Sequence, residues 1–271
     1  MVESIKELRR ICQSKKQPLY MQHVSMKISI YITKLFLYTK LSADYVTIVM
    51  ILLLITGSIV MAFGGLWMIL IGVLIIHLTI ILDNVNGEVA RYWKEDGIIG
   101  TFLEQVYHNI AVHLIFFMLA FGVFLKTGII SILIFGFLCA IFGKPIILNS
   151  IKDAVIAERL DEISKGKKAR KVSVSGKVNV KGGSTKMGKQ LYGAYDFIRD
   201  FWVYPANVVH ITLIAIIELL SAHYGFAAPY IFFYIYLVVY GSASVIIQAA
   251  AFIVNYRGRA VDHYYKQLFE K

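Results

Sequence analysis

LWMILIGVLIIHLTIIL, residues 66 to 82, is interrupted only by His77 and Thr79, and it runs straight into DNVNGEVAR, residues 83 to 91. A helix of about 20 mostly apolar residues crosses the hydrocarbon core of a bilayer, so the run reads as a membrane span over 66–86. Asp83, Asn86, Glu88 and Arg91 then crowd onto its last turns and the residues that follow, where polar groups are least expected.

Working outward, five more apolar runs of spanning length occur, at roughly 45–64, 98–124, 128–149, 203–222 and 228–254. The composition agrees: 58% of residues are hydrophobic and 17% charged, with a mean hydropathy of +0.67, values of a chain whose solvent is mostly lipid. The expected fold is an all-α integral membrane bundle of six transmembrane helices, in one domain over 1–271. Its first segment, 1–42, is expected to be cytoplasmic or interfacial, and it opens on a polar, basic stretch, MVESIKELRRICQSKKQ. No short apolar core or small-residue cleavage site marks a signal peptide there.

Lys and Arg set the expected orientation. Every one except Lys126 falls before residue 42, between 87 and 97, between Lys144 and Arg199, or in the C-terminal tail. By the positive-inside rule both termini and the connections after the second and fourth spans are cytoplasmic. This asymmetry accounts for the net charge of +11, so anionic lipid headgroups, not nucleic acid, are the expected counterpart. The two cysteines, Cys12 and Cys139, have neither disulfide nor metal-ligand spacing.

Residues 24–41, VSMKISIYITKLFLYTKL, place Lys27 and Lys34 seven apart with Ile28, Ile32, Leu35 and Phe36 on another side, the pattern of an amphipathic helix lying in the membrane interface. A basic cytoplasmic loop is expected at about 161–190. It contains GSTKMGKQ (183–190), which fits the spacing of a phosphate-binding loop but has Gln190 where the magnesium-binding hydroxyl belongs, and no parallel-sheet pattern surrounds it. It reads as a polybasic loop near the headgroups. In the sixth span, GSASVIIQAAA (241–251) offers small residues for close helix approach, in a dimer seam or within one bundle.

The third span begins GIIGTFLEQVYHNI. Residues four apart share a helix face, so Gly100, Glu104 and His108 form one stripe, and Asp83, Asn86, Gly87 and Ala90 share a side of the second span. The short connection makes the two helices antiparallel neighbours. Taken singly, Asp83 and Arg91 could merely end a helix at headgroup level. Together, ionisable groups at membrane depth are costly unless they pair or bind something. Asp83, Asn86 and Glu104 supply the oxygen ligands that a hard dication such as Mg²⁺ prefers. Gly87 and Ala90 leave room for a phosphate, and Arg91 can grip its oxygens in a bidentate way.

DNVNGEVARYWKEDGIIGTFLEQVYH resembles the signature of the CDP-alcohol phosphotransferases, D-x2-D-G-x2-A-R-x8-G-x3-D-x3-D. Asp83, Gly87, Ala90, Arg91 and Gly100 match in identity and in every interval. SADYVT (42–47) stands where family members often read P-N-x-x-T, with Thr47 unchanged. The resemblance implies transfer of a phosphate-linked group from a CDP-linked donor to an alcohol with release of CMP, a two-metal carboxylate site at the cytoplasmic face, and often a homodimer. The family's four signature aspartates fall on Asp83, Asn86, Glu104 and His108, and three of the four differ. Asn86 brings a carbonyl oxygen without charge, Glu104 a longer arm, and His108 an imidazole.

With the ligand charge cut from four negatives to two, one Mg²⁺ or Mn²⁺ ion held by Asp83, Asn86 and Glu104 is expected rather than two. Arg91 is expected to bind phosphate. His108 either deprotonates the acceptor or binds a substrate phosphate. Asp44, Thr47, Gly87, Ala90 and Gly100 are the expected substrate-binding positions. The leading expectation is a divalent-metal-dependent membrane transferase moving a phosphate-linked group from a nucleotide-activated alcohol or sugar to a membrane lipid, lipid-linked or alcohol acceptor. The alternatives are a glycosyl or phosphosugar transferase using a polyprenyl phosphate, and a non-catalytic lipid-binding relative.

Overall fold

The computed structural model describes residues 2–13, 25–39, 41–94, 97–166 and 202–269. In chain order the helices are α1 (Ile5–Cys12), α2 (Met26–Thr39), α3 (Ala43–Ala62), α4 (Leu66–Trp93), α5 (Ile98–Thr127), α6 (Ile130–Phe142), α7 (Ile146–Ser164), α8 (Ala206–Tyr224), α9 (Ile231–Arg257) and α10 (Ala260–Phe269). No strand occurs among the described residues. Among the described residues six helices are long and apolar enough to cross a membrane: α3, α4, α5, α6 continued by α7, α8 and α9. They expose Leu52, Leu74, Phe137 and Val239 outward, an arrangement suited to lipid and not to water. The GSTKMGKQ loop lies outside the described residues.

Backbone-to-backbone approach organises the bundle. α3 packs most extensively on α4, and a Cβ on Gly57 would stand 2.7 Å from the Gly72 carbonyl oxygen. Only small residues allow helices so close. The turn between these helices needs Gly64, whose φ is +74° and whose α-carbon abuts the Gly122 backbone. α5 packs on α3 and α6, and α6 on α9. There Gly241 approaches α6, where a Cβ would lie 3.0 Å from the Phe135 carbonyl oxygen. Ser244 accepts a hydrogen bond from Trp202 Nε1 at 2.9 Å, and Gln248 donates to the Lys144 carbonyl at 2.9 Å. Gly241, Ser244 and Gln248 are thus engaged inside the bundle, whereas Ala249 and Ala250 are exposed.

Three boundaries differ from the sequence expectation. α4 continues past residue 86 to Trp93 and stops where Lys94 turns left-handed at φ 55°, so the candidate residues 83–91 all ride on rigid helix. The fourth apolar run is not continuous over 128–149: it breaks at 143–145. Pro145 has no N–H to donate and its ring would collide with the preceding turn. α7 then runs to Ser164, so the expected loop at 161–190 begins as helix. α1 was not anticipated, although its signal is present as a capping box in which the Glu7 amide donates to Ser4 Oγ and the Ser4 amide to Glu7 Oε2, both at 3.3 Å. α2 turns Ser29, Ile30, Thr33 and Leu37 inward and exposes Tyr31, Leu35 and Tyr38. α1 and α2 both rest on the last turns of α4, and α10 rests on α7, where Tyr265 donates to Glu162.

Candidate functional site at one end of the bundle

The C-terminal turns of α4, the first turns of α5, the start of α3, the 143–145 break and residues 203–205 meet at one end of the bundle. They enclose a cavity of about 1510 Å³. Helical spacing delivers the chemistry to it. Asp83, Asn86, Gly87, Ala90 and Arg91 line it from α4, and Gly100, Glu104 and His108 from α5.

His108 Nε2 lies 3.8 Å from Asp83 Oδ1 and 3.8 Å from Glu104 Oε1. One ligand atom from each of the three residues falls within 4.8 Å of the other two. Neighbouring ligands around a dication bound at about 2.1 Å sit about 3 Å apart, so small side-chain rotations would bring the Asp83 and Glu104 carboxylate oxygens onto one ion and leave the imidazole beside it. Asn86, one turn along α4, is buried, and its Oδ1 has no hydrogen-bond partner among the described residues. A buried carbonyl oxygen left unpaired costs about 1–3 kcal/mol, and a cation is the partner that the neighbouring carboxylates favour. The residues present therefore fit a divalent cation.

Around this cluster the cavity wall also carries cations. Arg91, Lys94 and Lys144 all line it, with Lys144 Nζ donating to Asn109 Oδ1. Gly87 provides space for the arginine: a Cβ there would sit 3.1 Å from Arg91 Nη1 and 3.2 Å from Nη2. Gly100 plays the same part for Asp44, whose Oδ1 would be 3.1 Å from a Cβ at 100. Asp44 lines the cavity, but Thr47 does not. Thr47 is buried and its hydroxyl donates to the Ala43 carbonyl at 3.3 Å, so it serves helix α3 instead of a ligand.

The structure adds residues that sequence reasoning passed over. Tyr204 enters the wall beside His108, with ring centroids 6.3 Å apart. Its hydroxyl pairs with that of Tyr107 at 2.5 Å, and Tyr107 in turn with Thr79 at 2.8 Å. Trp202 holds this segment in place, stacking on Tyr240 at 4.6 Å, while Tyr240 donates to the Trp202 carbonyl at 2.6 Å. Lys144 could have been noticed as the one basic residue set in an apolar run next to a proline. Tyr204 carried no comparable signal.

No family model matches the chain, and no curated protein matches it in sequence. Among solved structures it is similar to the phosphatidylinositol phosphate synthase PgsA1 of Mycobacterium tuberculosis, crystallised with CDP-DAG bound. The identity is 18% and the TM-score 0.43, with 72% of this chain and 89% of that chain covered.

Proposed function

We propose that this chain is a membrane phosphotransferase that moves a phosphate-linked group from a CDP-linked alcohol or sugar to a lipid or alcohol acceptor, releasing a nucleoside monophosphate. The observation that carries the proposal is the convergence of Asp83, Glu104, His108 and the unpaired Asn86 oxygen in one cavity with Arg91. The signature spacing from Asp83 to His108 supports the same reading. At about 1510 Å³ the cavity exceeds the roughly 300–1,000 Å³ of ordinary small-ligand sites, which suits two substrates held together.

Asp83, Glu104 and the Asn86 carbonyl would hold one Mg²⁺ or Mn²⁺ ion. When bound, such an ion neutralises the donor pyrophosphate and the leaving nucleotide. Arg91 grips the donor phosphates through its two Nη groups, in the space that Gly87 and Ala90 leave open. An acceptor hydroxyl directed at His108 Nε2 passes its proton to the imidazole as its oxygen bonds to phosphorus. The phosphorus–oxygen bond to the nucleoside monophosphate breaks in the same displacement. Tyr204 stands edge-on to the ring, 6.3 Å between centroids, and narrows the approach of water to it. An acceptor that is already a phosphate monoester needs no such base, and His108 then hydrogen-bonds to it.

The deciding experiment is mass-spectrometric detection of the nucleotide released when purified protein, Mg²⁺ or Mn²⁺ and a lipid extract meet a panel of CDP-linked alcohols and nucleotide sugars. A nucleoside monophosphate is expected. A nucleoside diphosphate would instead mean glycosyl transfer, and no release from any donor would mean a binding protein without turnover.

A further inference from the structure

Glu88 takes no part in the cavity, yet it is a carboxylate only 1% exposed on the same turns of α4. Among the described residues no Lys or Arg forms an ion pair with it. Three neutral donors satisfy it instead: Gln13 Nε2 at 2.9 Å and Ser29 Oγ at 2.7 Å on one oxygen, Thr33 Oγ1 at 2.5 Å on the other. All three come from the N-terminal segment. Gln13 ends α1 and also donates to the Met26 carbonyl at 2.7 Å, tying the end of α1 to the start of α2. Ser29 and Thr33 are four apart and so share the inner face of α2. A single carboxylate therefore fastens both N-terminal helices to α4.

The next residue on that face of α4 after Glu88 is Arg91, and its Nε donates to the Cys12 carbonyl at the end of α1. Anchored there, the guanidinium lies with both Nη groups over Gly87, on the cavity side. Arg91 is itself exposed. Among the described residues the Cys12 carbonyl is the one hydrogen-bond acceptor that fixes this long side chain in its orientation. We propose that Glu88 is a positioning residue: by docking α1 and α2 it sets the Cys12 carbonyl against Arg91 and so presents the two Nη groups to a phosphate in the cavity. The phosphate role of Arg91 rests on the function proposed above; the docking does not. Preorganisation of this kind raises affinity by removing the cost of ordering the side chain at binding.

Cys12 supplies its own reporter. It is fully buried in this latch, and burial pushes its thiol up to about 11. The second cysteine, Cys139, is buried in the bundle between α6 and α9 and monitors global folding. The experiment compares wild type with Glu88→Ala in full-length protein, by peptide mass spectrometry of N-ethylmaleimide labelling and by donor kinetics. Gln13→Ala is carried alongside in case the Glu88 variant does not fold.

The expected result is Cys12 labelling about tenfold faster with Cys139 unchanged, together with a donor KM about tenfold higher at nearly constant kcat. Unchanged Cys12 labelling in a folded variant would overturn the latch. Faster labelling with an unaltered donor KM would overturn the positioning role, leaving Glu88 a purely structural tie. If wild type engages no nucleotide, the claim about Arg91 falls with the proposed function, and the labelling arm still decides the latch.

Discussion

Asp83 and Glu104 stand on different helices yet share one imidazole at 3.8 Å, so removal of one charge should be felt by a bound cation more than by the fold. Asp83→Asn keeps size and shape. It is expected to abolish the thermal stabilisation that Mg²⁺ or Mn²⁺ gives the wild type, about 5 °C or more at saturating ion, and to slow nucleotide release at least about 100-fold, both read on purified protein. Gly87 predicts a subtler outcome. A methyl there meets only the far end of a flexible arginine, so Gly87→Ala should leave the melting temperature within about 2 °C while donor KM rises about tenfold, because the guanidinium must move. These residues were legible beforehand because a period of four, set in apolar surroundings, leaves few ways to arrange them. Glu88 was visible in the same stretch, but its partners sit 55 to 75 residues away, and no local period announces such a pairing. Thr47 shows the opposite failure, since a matching position in a motif does not say which way a hydroxyl turns.

At the level of the helix, the Gly57–Gly72 crossing tests how far α3 and α4 depend on contact between their backbones. A Cβ on Gly72 would lie 2.5 Å from the Gly57 carbonyl oxygen, and neither backbone can yield without parting the helices. Gly72→Leu is expected to cost about 3 kcal/mol or more, seen as loss of a monodisperse, cooperatively melting species in detergent. α1 makes a different prediction. Tyr92 donates to Glu3 Oε2 at 2.6 Å and holds that carboxyl below its ordinary range. A depressed carboxylate stabilises the docked helix above the unfolded value of about 4.3 and loses that contribution as pH falls through the folded one. Hydrogen exchange at the Leu8 amide, corrected for intrinsic rate, should therefore be flat from pH 5 upward and accelerate only below about pH 4; Glu3→Gln should remove the acid dependence. The break at 143–145 escaped the sequence because apolar residues continue on both sides of it, in IFGKPIIL. Hydropathy reports what a residue prefers to touch, and it is silent on where the backbone must turn.

For the molecule as a whole, the cavity lies at the end of the bundle that carries Arg91, Lys94 and Lys144, and we propose from the positive-inside rule that this end is cytoplasmic. Both native cysteines are buried, so a cysteine placed at Thr101, exposed on the cavity wall, has a quiet background. A membrane-impermeant maleimide should label Thr101→Cys in inside-out vesicles and not in right-side-out ones; the reverse would invert the topology. The six spans and their neighbours were readable from composition and charge, whereas the shape of the cavity depended on the Pro145 break and on Tyr204, which hydropathy averages away. That break also bears on depth. α6 has 13 residues and rises about 20 Å, against a hydrocarbon slab of about 30 Å. If α6 starts at one surface of the slab, its far end stops about 10 Å short of the other, and the cavity begins at the depth of the acyl chains instead of beyond them. On the function proposed above, a lipid acceptor would then reach the site by sliding sideways in its own leaflet, without leaving the membrane.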